Sequence, residues 1–391
     1  MSVVTKDILG RIAPFESSAA PPVDRGRLRQ SVLEACRNFE KAVADADKGF
    51  LRALHQQARV LADPGLNARL YSLYKKRKNF FIDGARLDPK KICPQLIFVE
   101  PNSIWEQIFK IVRGTWSMPY SKGYGRRLRF VVYDNFHQAV IGILGYQSPA
   151  ADLACRDELI TVSRERKLQI VNSTLDVYTI GAIPPYSHLI GGKLVAGLAA
   201  ATDIVTAYKK LYGGKRSEIE DATVSGDLIA LTTASAFGRS SIYNRLKFKE
   251  NFIAHPIGYT KGYGAVHLEH LYGDMLQLLS ENGRSVSTGG FGVGPKIRWQ
   301  NVTRALQALN LPGACLRHGL QRQVYLFPLV ENMSAAFAGE KLGNSCAIRV
   351  DPFADYWKER WALPRAENNG EWKSFMAETF FASCFGRPPG G

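Results

Sequence analysis

The chain has 391 residues, 46% of them hydrophobic and 22% charged, with a formal net charge of +16 at pH 7 and a pI near 9.6. That composition belongs to a globular protein of two or three domains and excludes a disordered chain. No apolar run reaches the roughly 18–20 residues of a membrane span, and the start, MSVVTKDILGRIAPFESS, has no secretory apolar core.

Residues 1–24 read as a loosely ordered, Pro-containing lead-in. Leu28, Val32, Cys36 and Phe39 recur at helical spacing, as do Phe50, Leu54 and Ala58, and DPGLNARL restarts a helix after Pro64 and Gly65. Residues 25–93 are therefore expected to form a helical N-terminal domain ending in YKKRKNFF. From Pro94 the pattern changes. Gln95–Glu100 predicts a buried strand, and NSIWEQIFKIV predicts a helix with an Asn/Ser cap. Strands Leu128–Tyr133 and Val140–Tyr146 predict a hairpin around DNFHQ. Then follow a capped helix in SPAADLACRDELI, a strand in TLDVYTIGAI, and one long helix from LIGGK to LYGG. DLIALTTAS reads as a strand, GRSSIYNRLKF as a helix and NFIAHPIGYT as a further strand. The alternation predicts a mixed α/β (α+β) core over 94–275. Residues 276–391 are expected to form an α/β C-terminal extension: a glycine-rich connector, the helix IRWQNVTRALQAL, the strand RQVYLFPLV and the aromatic tail FADYWKERWALPR. The connector is no P-loop, because Pro295 stands where the lysine should be and no Ser or Thr follows Lys296.

Six dispersed cysteines without a CxxC read as the reduced thiols of a cytoplasmic protein. HLEH (His267 to His270) can present two histidines from one helical turn, but no further ligand stands at a diagnostic spacing, so no metal is expected. The basic clusters YKKRK, GRRLR, RERK and GGKR favour nucleic acid, because neutralised phosphates release counterions. Arg126, Arg127, Arg129, Lys193 and Arg239 are the candidate phosphate contacts, and Tyr178, Tyr186 and Tyr263 the candidate stacking rings. In AIPPYSHLIGGKLVAGLA, Gly191 and Gly192 permit close backbone approach at a helix start whose free N–H groups favour an anion, with Lys193 adding charge. Asp176, in a strand between apolar residues, needs a partner or a function. Tyr243 can serve as a general acid, with Asp176 or His188 as base, or it can be a packed aromatic.

The order from Gln95 to Tyr259 resembles the GNAT N-acetyltransferase fold. In that family a strand runs into a loop and helix that hold the acyl-CoA pyrophosphate. A later strand leads to a helix with a Tyr-x-Lys-Leu-Gly-Phe-like signature. IYNRLKF resembles that signature, with Tyr243 at the general-acid position and Lys247 in place of the glycine. At the pyrophosphate loop His188, Gly191 and Lys193 align, and Gly191 alone matches. The resemblance implies a GNAT-like core and leaves the cofactor open, with acyl-CoA the candidate. Six longer blocks are similar to the DruA family of the bacterial Druantia anti-phage system: SKGYGRRLRF, SPAADLACRDELI, LDVYTIGAIPPYSHLIGGKLVAGLAA, TTASAFGRSSIYNRLKF, GYTKGYGAVHL and RQVYLFPLVEN. This implies a cytoplasmic, non-membrane component of phage defence with partners from its own operon, and it carries no catalytic residue across. Three functions stay open: a defence factor engaging DNA or RNA, an acyl- or aminoacyl-dependent N-acyltransferase, and a scaffold subunit whose tail aromatics Tyr356, Trp357, Trp361 and Trp372 form an interface.

Overall fold

The computed structural model describes residues 22–63, 65–118, 123–150, 152–160, 167–216, 223–264, 266–283 and 295–386. Asp24 caps helix α1 (Arg25–Ala44) by accepting from the Arg27 N–H, and Asp47 does the same for α2 (Lys48–Ala62) through Phe50. Helix α3 (Leu66–Arg77) follows, then strand β1 (Pro94–Phe98) and helix α4 (Ile104–Gly114). The expected α4 cap is present: Ser103 Oγ accepts from the Glu106 N–H, and Glu106 reaches back to the Asn102 N–H. Strands β2 (Leu128–Asp134) and β3 (Ala139–Gln147) form the expected hairpin.

Short helices α5 (Ala154–Asp157) and α6 (Lys167–Asn172) precede β4 (Thr174–Ala182). The long helix expected after β4 is two helices, α7 (Gly191–Leu198) and α8 (Thr202–Tyr212). The break falls where Ala201 bridges Ile348 and the Thr202 N–H donates to the Ile348 carbonyl, which takes the bond a continuous helix would need. After β5 (Ala230–Ala234) the helix expected in GRSSIYNRLKF is instead a series of turns, with Arg245 at φ +53°. A left-handed Arg245 cannot continue a helix, and the chain turns there into a hairpin of β6 (Lys247–Phe248) and β7 (Asn251–Phe252). The expected NFIAHPIGYT strand thus divides into β7 and β8 (His255–Tyr259). Helices α9 (Tyr272–Glu281) and α10 (Pro295–Ala308), strand β9 (Gln323–Pro328) and helices α11 (Met333–Phe337), α12 (Val350–Trp357), α13 (Leu363–Asn368) and α14 (Ala377–Phe385) complete the chain. The glycine run Gly289–Gly294 lies outside the described residues.

Among the described residues the main sheet has seven strands in the order β1-β2-β3-β4-β5-β9-β8. Its neighbours are antiparallel except for β4 and β5, which run parallel. The mixed α/β class expected from the sequence is therefore the observed one. Because β9 lies between β5 and β8, the sheet crosses the boundary expected at residue 275. One face, carrying Phe130, Leu144, Val177, Leu231 and Phe327, packs beneath α7, α8 and α12. The opposite face is apolar in two separate patches. Val131, Tyr133 and Ile143 meet α3, α4 and α14 in one, and Ala230 and Leu326 meet α11 in the other. Trp357 and Trp372 of the tail are buried in the first face's core, so these two aromatics are packing residues rather than exposed interface.

Candidate functional site

The turn between β4 and α7 is built around a buried carboxylate. Asp134 Oδ2 accepts from the Tyr186 hydroxyl at 2.9 Å and meets His137 Nδ1 at 2.6 Å, while its Oδ1 accepts from the backbone N–H groups of Cys93, Phe136 and His137. Tyr186 is fully buried, and burial together with Asp134 pushes its hydroxyl far above the ordinary range, so it presents no face for a base. Ile190 adopts φ +60°, and a Cβ on Gly191 would stand 2.5 Å from the Tyr186 carbonyl oxygen, so Gly191 is a steric requirement of the turn. Around the α7 start, Trp357 Nε1 donates to the Ile190 carbonyl and Lys193 Nζ donates to the Asn244 carbonyl at 2.6 Å. Lys193 also lies over the Trp361 ring, and burial lowers its pKa. A Cβ on Gly192 would meet Ile242 at 3.2 Å. Thus Gly191, Gly192 and Lys193 are held by the 242–244 turn and the tail. His188 is half-buried, with Nδ1 3.7 Å from Glu371.

Strand register separates the other two candidates. Gln147, Asp176, Thr232 and Leu326 are successive cross-strand partners and share one face. Thr233 pairs with Tyr325 on the other face, where the Tyr243 ring lies 4.8 Å from Tyr325. Tyr243 is 7% exposed, and burial pushes its hydroxyl up to about 12. Tyr243 and Asp176 therefore do not line one cleft. Asp176 sits between the two apolar patches of its face. It accepts from Gln147 Nε2 at 3.0 Å and from Thr232 Oγ1 at a long 3.5 Å. Burial raises its pKa to about 6, against the opposing influence of Gln147, Arg322, Thr232 and Arg156. Tyr178 lies beside it: Cβ atoms on Gly145 and Gly123 would stand 2.9 and 3.1 Å from its ring.

The predicted phosphate contacts do not share a face. Arg126 caps α6, donating to the carbonyls of Asn172 and Val171 and to the Tyr208 hydroxyl. Arg129 pairs with Glu106 at 3.7 Å. Arg127 is exposed where its backbone meets the Tyr212 hydroxyl. Arg239 and Tyr263 fall together along the outer edge of the sheet. Arg239 Nε donates to the Tyr259 hydroxyl at 3.1 Å, and Arg317 Nε donates to the Tyr263 hydroxyl at 2.7 Å. Phe252, Tyr259 and Tyr263 are 46%, 41% and 47% exposed. Lys247 lies over Phe252, and Arg245, Lys249 and Lys261 are exposed nearby in the chain, with Glu250 the one acid between residues 239 and 263. Sequence reasoning missed Phe252, Tyr259 and Arg317, although KFKENF already alternates cations with aromatics. It also missed Gln147 and Thr232, whose signal was a polar residue within or ending an apolar strand.

HLEH is structural. His267 is buried with Nε2 2.7 Å from the Cys315 carbonyl oxygen, and Glu269 pairs with Arg298. Among the described residues no group of three or more His, Cys, Asp or Glu could hold a metal ion, and no helix is long and apolar enough to cross a membrane.

A family model described as Druantia protein DruA matches residues 45–339 of the chain. Druantia protein DruA of Escherichia coli (strain UMEA 4076-1) is 32% identical over 343 residues, covering 85% of this chain and 84% of the relative. No solved structure matches the chain.

Proposed function

The chain belongs to the Druantia DruA family, and from that membership we propose that it serves the Druantia anti-phage system in the cytoplasm by engaging nucleic acid along the β8 edge of its sheet. The observation that carries the reading is the joining of cations and exposed rings there: Arg239 on Tyr259, Arg317 on Tyr263 and Lys247 on Phe252. Cations take phosphates and exposed rings take bases, a combination suited to single strands in which bases are accessible. Other proteins of the same operon are its expected partners.

The test is binding of labelled DNA and RNA oligonucleotides as salt rises from 50 to 200 mM. Each phosphate contact contributes a log–log slope of about −0.7 to −0.9. The combined variant Arg239→Ala, Lys249→Ala, Arg317→Ala should flatten the slope by two to three contacts. Binding that is absent, or indifferent to salt, overturns the proposal.

An acyltransferase is favoured by one observation. The strand order, with a lone parallel β4–β5 pair joined only over Thr174–Asp176 before β4 continues to Ala182, supports a GNAT-like core. Calorimetry with acetyl-CoA separates the two readings, since only a transferase requires heat of binding. In such a transferase the acid role expected of Tyr243 would need its buried hydroxyl to open to the cleft.

A further inference from the structure

The arginines set deep in this fold are engaged. Arg59 donates to the Gly114 and Trp116 carbonyls, and Arg113 to that of Met118. Arg126 caps α6, and Arg156 holds Asp157 and the Ala150 carbonyl. Each such bond offsets the cost of withdrawing a guanidinium from water. Arg322 differs. Its backbone bonds Thr260, but among the described residues its guanidinium enters no hydrogen bond or ion pair. It is only partly reached by solvent, and burial lowers its pKa. Register shows where it points. Val324 and Leu326 pair with Ala234 and Thr232, so Arg322, two residues before Val324, extends the same face as Asp176. The two charges influence each other without forming an ion pair.

Other unsatisfied groups gather there. Gln147 is 9% exposed, and its amide N–H₂ is committed to Asp176, leaving Oε1 buried without a donor. The reverse amide orientation would set oxygen against carboxylate. His55 of α2, 2% exposed and within reach of the Arg322 charge, has Nδ1 without a partner. Each unmet buried polar group costs about 1–3 kcal/mol, and native proteins keep few of them. The group lies where β4 and β5 stop pairing after Asp176 and Thr232, on the carboxyl side of both strands, the position at which open α/β sheets receive ligands. Tyr178 lies beside it, and Tyr124, 37% exposed, is held next to Gln147 by its carbonyl, which accepts from the Ser148 N–H.

We propose that Gln147, Asp176 and Arg322 form a nucleotide-binding site. In this site Arg322 takes the phosphate, Asp176 and Gln147 Oε1 accept from the N–H groups of the base edge, and Tyr124 and Tyr178 flank the base. The site is separate from the β8 edge and does not depend on it. The probes are GMP, AMP, CMP and UMP, measured by calorimetry on the full chain, with inorganic phosphate and guanosine as separate arms. At least one nucleotide should bind with a Kd below about 1 mM, and at least tenfold tighter than phosphate or guanosine alone. Arg322→Met and Asp176→Asn should each weaken it tenfold or more. Asp176→Asn removes a buried charge and keeps an acceptor for Gln147, so it should melt no lower than the wild type, which separates loss of binding from loss of fold. Binding of no probe means that water satisfies these groups and overturns the proposal. So does binding that survives both variants, or phosphate binding as tightly as the nucleotides.

Discussion

Asp176→Asn should stabilise the protein at neutral pH, the reverse of what removing a hydrogen-bonded carboxylate usually does. Burial is the largest influence on Asp176 and outweighs the Gln147 and Thr232 bonds and the positive field of Arg322 and Arg156, holding the carboxyl at about 6. An aspartate in an unfolded chain titrates near 3.9. Because the folded value is the higher one, ionised Asp176 opposes folding. The cost is complete above about pH 6, fades as the folded carboxyl takes up its proton, and is gone below about pH 4. At about 1.4 kcal/mol per tenfold change in proton affinity, it approaches 3 kcal/mol at pH 7.5 and falls to about 1 kcal/mol at pH 4.5. An amide keeps the acceptor for Gln147 without the charge. Urea denaturation of wild type and variant at the two pH values isolates this residue, since every other titration cancels in the difference. A variant less stable than wild type at pH 7.5, or a gain equal at both pH values, would refute the reasoning.

Asp134 and Tyr186 should differ in urea denaturation: Asp134→Ala strands three backbone donors and the side chains of His137 and Tyr186 at a loss of about 3–5 kcal/mol, whereas Tyr186→Phe removes one bond at about 1 kcal/mol. Gly191→Ala drives a Cβ to within 2.5 Å of the Tyr186 carbonyl oxygen and should lower stability by more than about 2 kcal/mol; Gly214→Ala, at φ +74° with nothing within 4 Å, should cost only about 1 kcal/mol. Lys193→Ala should cost about 1–2 kcal/mol in stability while leaving the salt slope of nucleic-acid binding unchanged, because Nζ is committed to Asn244. His55 and His267 are held at about 4 by burial, below the value of an unfolded histidine. Their contribution to stability is present above about pH 6.5 and is lost as the pH falls toward 4, so His267→Gln should reduce the acid sensitivity of the urea midpoint.

The sequence alone determined the mixed α/β class, the α4 cap, the β2–β3 hairpin and the family. Caps, turn residues and strand alternation act over a few neighbours, and the family lies in the order of specific blocks. It also marked Asp176, because a carboxylate within an apolar strand is anomalous wherever the strand goes. Tertiary structure decided what the polar residues are for. Arg126 and Lys193 read as free cations, yet each caps carbonyls that no local pattern reveals. The helix expected at Tyr243 was lost to a left-handed Arg245 and to packing against Tyr325, and β5–β9 register then set Tyr243 on the face opposite Asp176. Arg322 could meet Asp176 only after β9, about 150 residues later in sequence, had entered the sheet beside β5. Side-chain direction in a strand follows its pairing, and pairing between distant segments is settled by the whole core rather than by any window of sequence.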